Sequence, residues 1–557
     1  MKKKRILLIS LLIISCIAFE FLFCNSLFIK NKGPYVFSFA RLFLYALLFF
    51  IEYKVKDRII NNRINYEKTK KKKNVIDIFL IICFIFTILA DSVYIFLGKT
   101  NIMSQGVICI LLCFIAFLYF FYSNNYKLNI LMLCSICFIY SIVVTPQHAI
   151  DETMHLISSY NISQFDYNWT NGYKYEENIY NINKYKNYVF NEDKFVHYDK
   201  KKMTEKDTWY KPYSICKYMY IPSAIGILVS ELLHGTIMDT FYLGRFFNAI
   251  AMLIEIALLL KITNDKKNIF IAIIVTPYLL LLGSTYNVDA LGILSILLFI
   301  SYVLNISSSK EKYLTKRNVL FLTILMILIC LFKGASYFLI FLLLLLIVKK
   351  IPMEKRWLML VYMLLFGLLI LHLMKPEDLN TGDVAVTGEP NPIEQLKFLF
   401  SSPLIFIEVY GLHILNTLFN INYYQGLLGT NFYPIISPYF LGFYLLFLIY
   451  MGLTENETVY KVKTKLFFIF TMLVIFLFTS TGLYLGYTGV GRINIEGYQT
   501  RYLFPIIPLI LLTLGTKKIQ ILKDKNYDII NYGLCLFLNM AFIMIIVFFS
   551  AFEYWVK

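Results

Sequence analysis

Charge is scarce in this chain. Asp, Glu, Lys and Arg make up 16% of its 557 residues, while hydrophobic residues make up 59% and the mean hydropathy is +0.65. A soluble domain carries roughly 25% charged residues. So little charge cannot cover a water-facing surface of this size, but it suits a lipid-facing one. The chain also lacks a small-x-small cleavage site after its first apolar run, Ile6 to Phe23. A basic start, Met1 to Arg5, imitates a signal peptide, yet without that site the run reads as an uncleaved first span.

Cysteines in polar surroundings are nearly absent. Nine of the ten lie in or beside apolar runs, and Cys216 alone sits in a large polar segment. Cys109/Cys113 and Cys134/Cys137 have helical spacing but no histidine nearby, so they read as small packing residues rather than zinc ligands. No internal repeat is visible, which argues against transporters built from inverted repeats.

Long apolar runs are abundant. A span needs about 20 apolar residues, and backbone polar groups in lipid must be satisfied within a helix. Candidate spans are 6–23, 35–53, 75–97, 105–122, 129–145, 241–261, 269–283, 287–305, 319–332, 335–348, 357–374, 436–453, 466–486, 501–515 and 528–551. The expected fold is an all-α polytopic membrane protein with about 13–15 transmembrane helices.

The net charge of +18 is basic, but the lysines cluster in short connectors between apolar runs. That is the positive-inside pattern, so no nucleic-acid partner is expected. The N-terminus carries four basic residues, and connector 54–74 carries nine basic against two acidic ones. Both therefore face the cytoplasm, and parity puts 146–218 outside. Lys349, Lys350, Lys355 and Arg356, then Lys461, Lys463 and Lys465, then Lys517, Lys518, Lys523 and Lys525 fall inside. Loop 375–400, with five acidic and two basic residues, falls outside. Tyr220–His234 opens with Pro222 and carries Glu231; as a span it would invert every later loop, so it is expected to lie on the outer leaflet. Residues 401–420, interrupted by Glu408, His413 and Asn416, are expected to be interfacial or re-entrant. The localisation expected is the cell membrane, with membrane lipids as surroundings.

Loop 146–218 is long and rich in Tyr, Asn and Lys. Such loops usually have a role. It opens with Pro146-Gln-His148-Ala-Ile-Asp151-Glu152-Thr-Met-His155, where the fifth span leaves the membrane. Adjacent carboxylates on a helix point in different directions. One can accept a proton while the other holds a metal or orients its neighbour. His155, four residues after Asp151, shares its helical face and can share a cation or a proton with it. An ordinary acidic first turn explains the pair equally well. Asp289, in the outer turn Ser284-Thr-Tyr-Asn287-Val-Asp289, can cap the following helix or reach the same outer cavity. Arg245, Lys333 and Arg501 all fall on the outer side. Ionisable residues at membrane depth cost about 2.5–3.5 kcal/mol on insertion scales, and these three suit an anionic headgroup such as a phosphate. Glu20, Arg41 and Asp91 lie within the first three spans with no assigned chemistry.

These segments resemble, in order, an uncharacterised bacterial membrane-protein family of the GT-C glycosyltransferase superfamily. Pro146 to His155 is similar to its P-x-x-x-x-D-E-x-x-H element. Lys211-Pro-Tyr213 with Tyr220-Ile-Pro222 resembles its Y-x-P juxtamembrane helix, and Tyr242-Leu-Gly244-Arg245 its L-G-R helix start. Pro277 through Ser284 to Asp289 resembles its P…S…D hairpin. Lys333-Gly-Ala-Ser-Tyr337 resembles K-P-P-Y, and Gly497-Tyr-Gln-Thr-Arg501-Tyr502-Leu-Phe-Pro505 resembles G-x-Q-G-R-Y-x-x-P. Gly334 and Ala335 stand where the family has prolines, and Thr500 where it has glycine.

The resemblance implies a GT-C-like helical bundle over 129–515, with outer loops 146–218 and 375–435. An N-terminal four-helix extension (1–128) precedes it and a C-terminal helix segment (516–557) follows. It implies sugar transfer from a polyprenyl-phosphate donor to an envelope glycan or lipid acceptor on the outer face. Asp151, Glu152 and Asp289 would be catalytic. Arg245, Lys333 and Arg501 would contact the donor phosphate, with His155, Tyr337, Gln499 and Tyr502 supporting. Some members use a divalent cation, Mg or Mn, for which Asp151 and His155 would be ligands. The competing expectations are a transporter or flippase for lipid-linked glycans, and a non-enzymatic envelope-assembly protein.

Overall fold

The computed structural model describes parts of 133–149, then 151–165, 173–176, 203–206, 218–234, 237–263, 266–332, 337–373, 390–419, parts of 445–453, and 459–515. The first four candidate spans, the C-terminal span and Lys333 lie outside the described residues.

The chain is an all-α membrane protein; among the described residues one small ladder, between 173–176 and 203–206, is the exception. The helices are α1 (Glu152–Ser163), α2 (Ile221–Leu232), α3 (Ile237–Ile262), α4 (Lys267–Ile274), α5 (Pro277–Gly283), α6 (Asp289–Ser308), α7 (Lys316–Leu331), α8 (Arg356–Leu373), α9 (Pro392–Phe400), α10 (Pro403–Ile414), α11 (Val462–Gly486) and α12 (Ile507–Leu514). Among the described residues three helices are long and apolar enough to cross a membrane, or four if one bent pair is a single span. The central one is α6, with 83% of its apolar window buried. Helices α3, α7 and α5 and the segment Phe338–Lys350 pack around it.

Phe338–Lys350 is a 3-10 helix of 13 residues. At about 2.0 Å rise per residue it reaches ~26 Å, against ~20 Å for the same residues as an α-helix.

Prolines shape the breaks. The expected span 269–283 is two helices, because Thr276 caps a new start at Pro277, its side chain accepting from the Leu279 N–H at 3.3 Å. Proline is tolerated in the first turn of a helix and disfavoured deeper. The same cap-then-proline pattern starts α9, where Asn391 accepts from Ile393 and Glu394, and α10, where Ser402 accepts from Leu404. These two helices meet at a bend of 108°. The expected span 501–515 is helical only over Ile507–Leu514, after 3-10 turns at Thr500–Tyr502 and Phe504–Ile506. Pro505 and Pro508 exclude a longer helix there.

Helix α2 has 12 residues, about 18 Å of rise and well short of a span. It is tied to α1 through Ser159 and Ser223 (Oγ to Oγ, 2.8 Å) and to α3 through Ser230 and Thr240 (2.9 Å). Strands β1 (Tyr173–Glu176) and β2 (Met203–Lys206) pair antiparallel, with Tyr173 opposite Lys206. In β1 Tyr173 and Tyr175 alternate with Lys174 and Glu176.

Candidate functional site

The fifth candidate span leaves a helical ladder behind it: Ser141 Oγ donates to the Cys137 carbonyl, and the Val144 N–H donates to the Tyr140 carbonyl. A helix end leaves its last carbonyls without intrahelical donors. Arg245 supplies them. Its Nη1 donates to the carbonyls of Ser141 (2.9 Å) and Val144 (2.5 Å). Its Nε and Nη2 each donate to a different oxygen of Glu152 at 2.8 Å. The guanidinium carbon also sits 4.2 Å from the centre of the Phe241 ring. Both side chains of the ion pair are fully buried.

Glu152 Oε1 further accepts from the Tyr286 N–H at 3.2 Å. The Tyr286 hydroxyl donates to the Thr240 carbonyl at 3.1 Å. Asn248, one turn beyond Arg245 on α3, donates to the carbonyls of Thr285 (2.8 Å) and Asn287 (3.0 Å). The turn before α6 is thus held from two sides. Gly244 makes this possible, because a Cβ there would lie 1.8 Å from the Tyr286 hydroxyl.

These contacts revise two expectations. Arg245, expected at the donor phosphate, is spent on Glu152 and two carbonyls and has no exposed surface. Glu152, expected to be catalytic, is 1% exposed and locks that arginine in place.

Asp151 has a different position. It stands at φ 55°, ψ 19° just before α1, and its carboxylate makes no capping bond to that helix. Asn and Asp tolerate the left-handed region better than other side chains. The freed carboxylate, 54% exposed, accepts from Arg501 Nη2 at 3.4 Å. Asp289 does not cap α6 with its side chain either. Asn287 Oδ1 accepts the Asp289 N–H at 2.7 Å, and the Asp289 carboxylate lies 3.2 Å from Arg501 Nη1. Asp151 and Asp289, 138 positions apart in number, thus flank one guanidinium whose side chain is only 9% exposed.

Arg501 sits on a 3-10 turn positioned by Gly497 (φ 75°), where a Cβ would lie 2.6 Å from the Tyr487 ring. Tyr337, 2% exposed, donates its hydroxyl to the Tyr502 carbonyl at 3.1 Å and so anchors the same turn. Tyr498 packs edge-on against Tyr502, with ring centres 5.5 Å apart. Burial opposes the Arg501 charge. The facing carboxylates of Asp289 and Asp151 offset it.

Gln499 keeps a buried side-chain oxygen that meets no hydrogen-bond partner among the described residues. His155 is turned away from Asp151: its Nδ1 lies 2.9 Å from the Tyr220 hydroxyl. Among the described residues no group of three or more His, Cys, Asp or Glu is arranged around a common metal position. The expected Asp151/His155 metal pair therefore does not fit, because the imidazole is engaged on the α2 side.

Residues 132–510 match the family model described as Predicted membrane protein (DUF2142). The chain belongs to this family. The matched segment contains Asp151, Asp289 and Arg501 and leaves out the first four candidate spans. No curated protein and no solved structure matches the chain.

Sequence reasoning passed over Asn248 and Tyr286. An amide inside the apolar run of α3, three residues after Arg245, was the available signal, since polar groups in such runs usually have a partner.

Proposed function

We propose that this DUF2142 protein is a glycosyltransferase of the GT-C type. It moves a sugar from a polyprenyl-phosphate donor to an envelope glycan or lipid acceptor on the outer face. The observation that supports this reading is the convergence of Asp151 and Asp289 on Arg501 at the end of the membrane bundle.

In the proposed reaction Asp151 accepts the proton of an acceptor hydroxyl. Its exposure leaves it open to an incoming acceptor, and its carboxylate is bound to Arg501 by one long contact. The acceptor oxygen forms a bond to the sugar's reacting carbon as that carbon's bond to the phosphate oxygen breaks. Polyprenyl phosphate leaves with the electron pair. Positive charge builds on the ring at the transition state, and the Asp151 and Asp289 carboxylates lie where they stabilise it electrostatically. The Glu152–Arg245 pair positions the start of α1 and the outer turn, and touches neither reactant. Lys333 remains the proposed contact to the leaving phosphate. No step uses a metal.

The test is Asp151→Asn in membranes supplied with a polyprenyl-phosphate hexose and native envelope lipid. Loss of a general base lowers transfer by about 10²–10⁴-fold. Undiminished transfer overturns the assignment.

A further inference from the structure

Three helices overtop the site. The first turn of the central span α6 is level with Asn248 of α3, whose amide donates to the Asn287 carbonyl at 3.0 Å. From there the two helices run side by side to the far end. Ser295 on α6 donates to Glu255 on α3 at 3.3 Å, and Thr263 Oγ1 lies 2.7 Å from Ser301 Oγ. Asn305 donates to the Ile262 carbonyl. Helix α3, however, begins at Ile237, eleven residues before Asn248. It therefore rises ~17 Å beyond the start of α6.

Helix α2 runs back along this overhang. Ser230 meets Thr240 at 2.9 Å, and Gly226 packs against the Leu243 carbonyl. Helix α1 runs beside α2 in the same direction, with His155 against Tyr220 (2.9 Å), Ser159 against Ser223 (2.8 Å) and Gln164 against Glu231 (2.7 Å). The three helices form a wall, and Asp151, just before α1, stands at its foot.

The length of α6 places that foot in the bilayer. Its 20 residues rise ~30 Å, which equals the hydrocarbon thickness of about 30 Å. It starts at Asp289 and ends in Ser307 and Ser308, with Lys310 and Lys312 following. These polar ends mark the two hydrocarbon boundaries. Arg501 ties Asp289 to Asp151 at 3.2 and 3.4 Å. The exposed Asp151 carboxylate therefore shares the depth at which lipid headgroups begin. Headgroups occupy about 5–8 Å on each side, less than half the height of the wall. At its foot Tyr218 and Ile221 are 56% and 40% exposed, as contact with acyl chains requires. Leu232 and Leu233 near the top are exposed as well, and a bilayer surface raised to cover them sinks Asp151 deeper still.

A hydroxyl can reach Asp151 by two routes. A water-borne glycan must enter the headgroup layer along a wall that stands ~17 Å above its target. A lipid of the same leaflet already presents its headgroup at that depth, so less freedom is lost in positioning it.

We infer that the acceptor is a membrane lipid with a hydroxylated headgroup, its acyl chains against the foot of α2 around Ile221. This rests on the glycosyltransferase reading and decides between its two acceptor classes. In the transfer the headgroup oxygen bonds to the sugar's reacting carbon, its proton passes to Asp151, and polyprenyl phosphate leaves with the bonding electron pair.

The experiment has two arms, both on the full chain. In the first, membranes containing it receive polyprenyl-phosphate hexose with a radiolabelled sugar, and products are separated into organic, aqueous and insoluble fractions. Label lost in Asp151→Asn should appear in an organic-soluble lipid distinct from the donor. Its appearance in water-soluble or insoluble glycan overturns the inference and leaves the glycosyltransferase reading standing. In the second arm a benzophenone amino acid replaces Ile221, and the chain is irradiated in phosphatidylcholine nanodiscs. Mass spectrometry should find phospholipid adducts at position 221, and their absence overturns the lipid placement whatever the transfer result. If that variant fails to fold, Ile225, 43% exposed, gives the same readout. Adducts at the foot of α2 with no Asp151-dependent product in any fraction sink the catalytic reading, and the acceptor assignment with it.

Discussion

Glu152 and Arg245 grip each other through two parallel contacts of 2.8 Å in a place with no solvent access. Planar guanidinium and carboxylate match in this geometry, which lysine cannot reproduce. The pair connects the end of the fifth candidate span, the start of α1 and the turn before α6. It is the joint on which the exposed carboxylate of Asp151 is mounted.

Removing one partner leaves a buried charge, which costs about 3–5 kcal/mol. Glu152→Ala and Arg245→Met should each lower stability by that amount in denaturant titrations in mixed micelles. The double variant should recover only part, because the carbonyls of Ser141 and Val144 then lose their donor. Full recovery would show that the carbonyl contacts contribute nothing.

Asp151 holds a left-handed backbone at φ 55°. Asparagine tolerates that region, and a β-branched side chain does not. Asp151→Val should be less stable than Asp151→Asn by about 1–2 kcal/mol, measured in the same titrations. Equal stability of the two would mean that the turn relaxes.

Gly244→Ala should destabilise by about 1–3 kcal/mol through overpacking, since its new methyl meets the Tyr286 hydroxyl at 1.8 Å and ring carbon at 2.4 Å. Adding Tyr286→Phe removes the nearer atom only, so thermal midpoints should return part of the way.

The bent α9–α10 pair braces the loop that carries Arg501. Gln395, fully buried, accepts from the Gly491 N–H at 2.9 Å. His413 Nε2 meets Ser480 Oγ at 2.9 Å, and its ring lies edge-on to Tyr498 at 4.9 Å. Gln395→Ala forfeits about 1 kcal/mol of hydrogen bonding. Hydrogen exchange across 487–499 should quicken roughly fivefold, and the proposed sugar transfer should fall alongside. Lys397→Ala is the control: its pair with Glu394 is exposed on both sides, 67% and 51%. Such pairs contribute about 0–1 kcal/mol, so exchange there should stay unchanged.

Composition and apolar run length were enough to establish a helical membrane protein, because in lipid a run of about 20 apolar residues satisfies its own backbone as a helix. The sequence also marked Asp151 and Asp289 as candidate site carboxylates, and Arg501 as a charge at membrane depth that demands a partner. It could not assign the partners. Glu152 and Arg245 looked like a catalyst and a phosphate contact, but packing joined them to each other. Asp151 and Asp289 each had a local explanation as helix-start residues, which for Asp289 was the better of the two. Only the tertiary structure showed that Asn287 meets the first N–H of α6 and that both carboxylates turn to Arg501. The reason is physical. Helix spacing and hydropathy are local along the chain, whereas an ion pair between residues 151 and 501 depends on how non-adjacent helices pack.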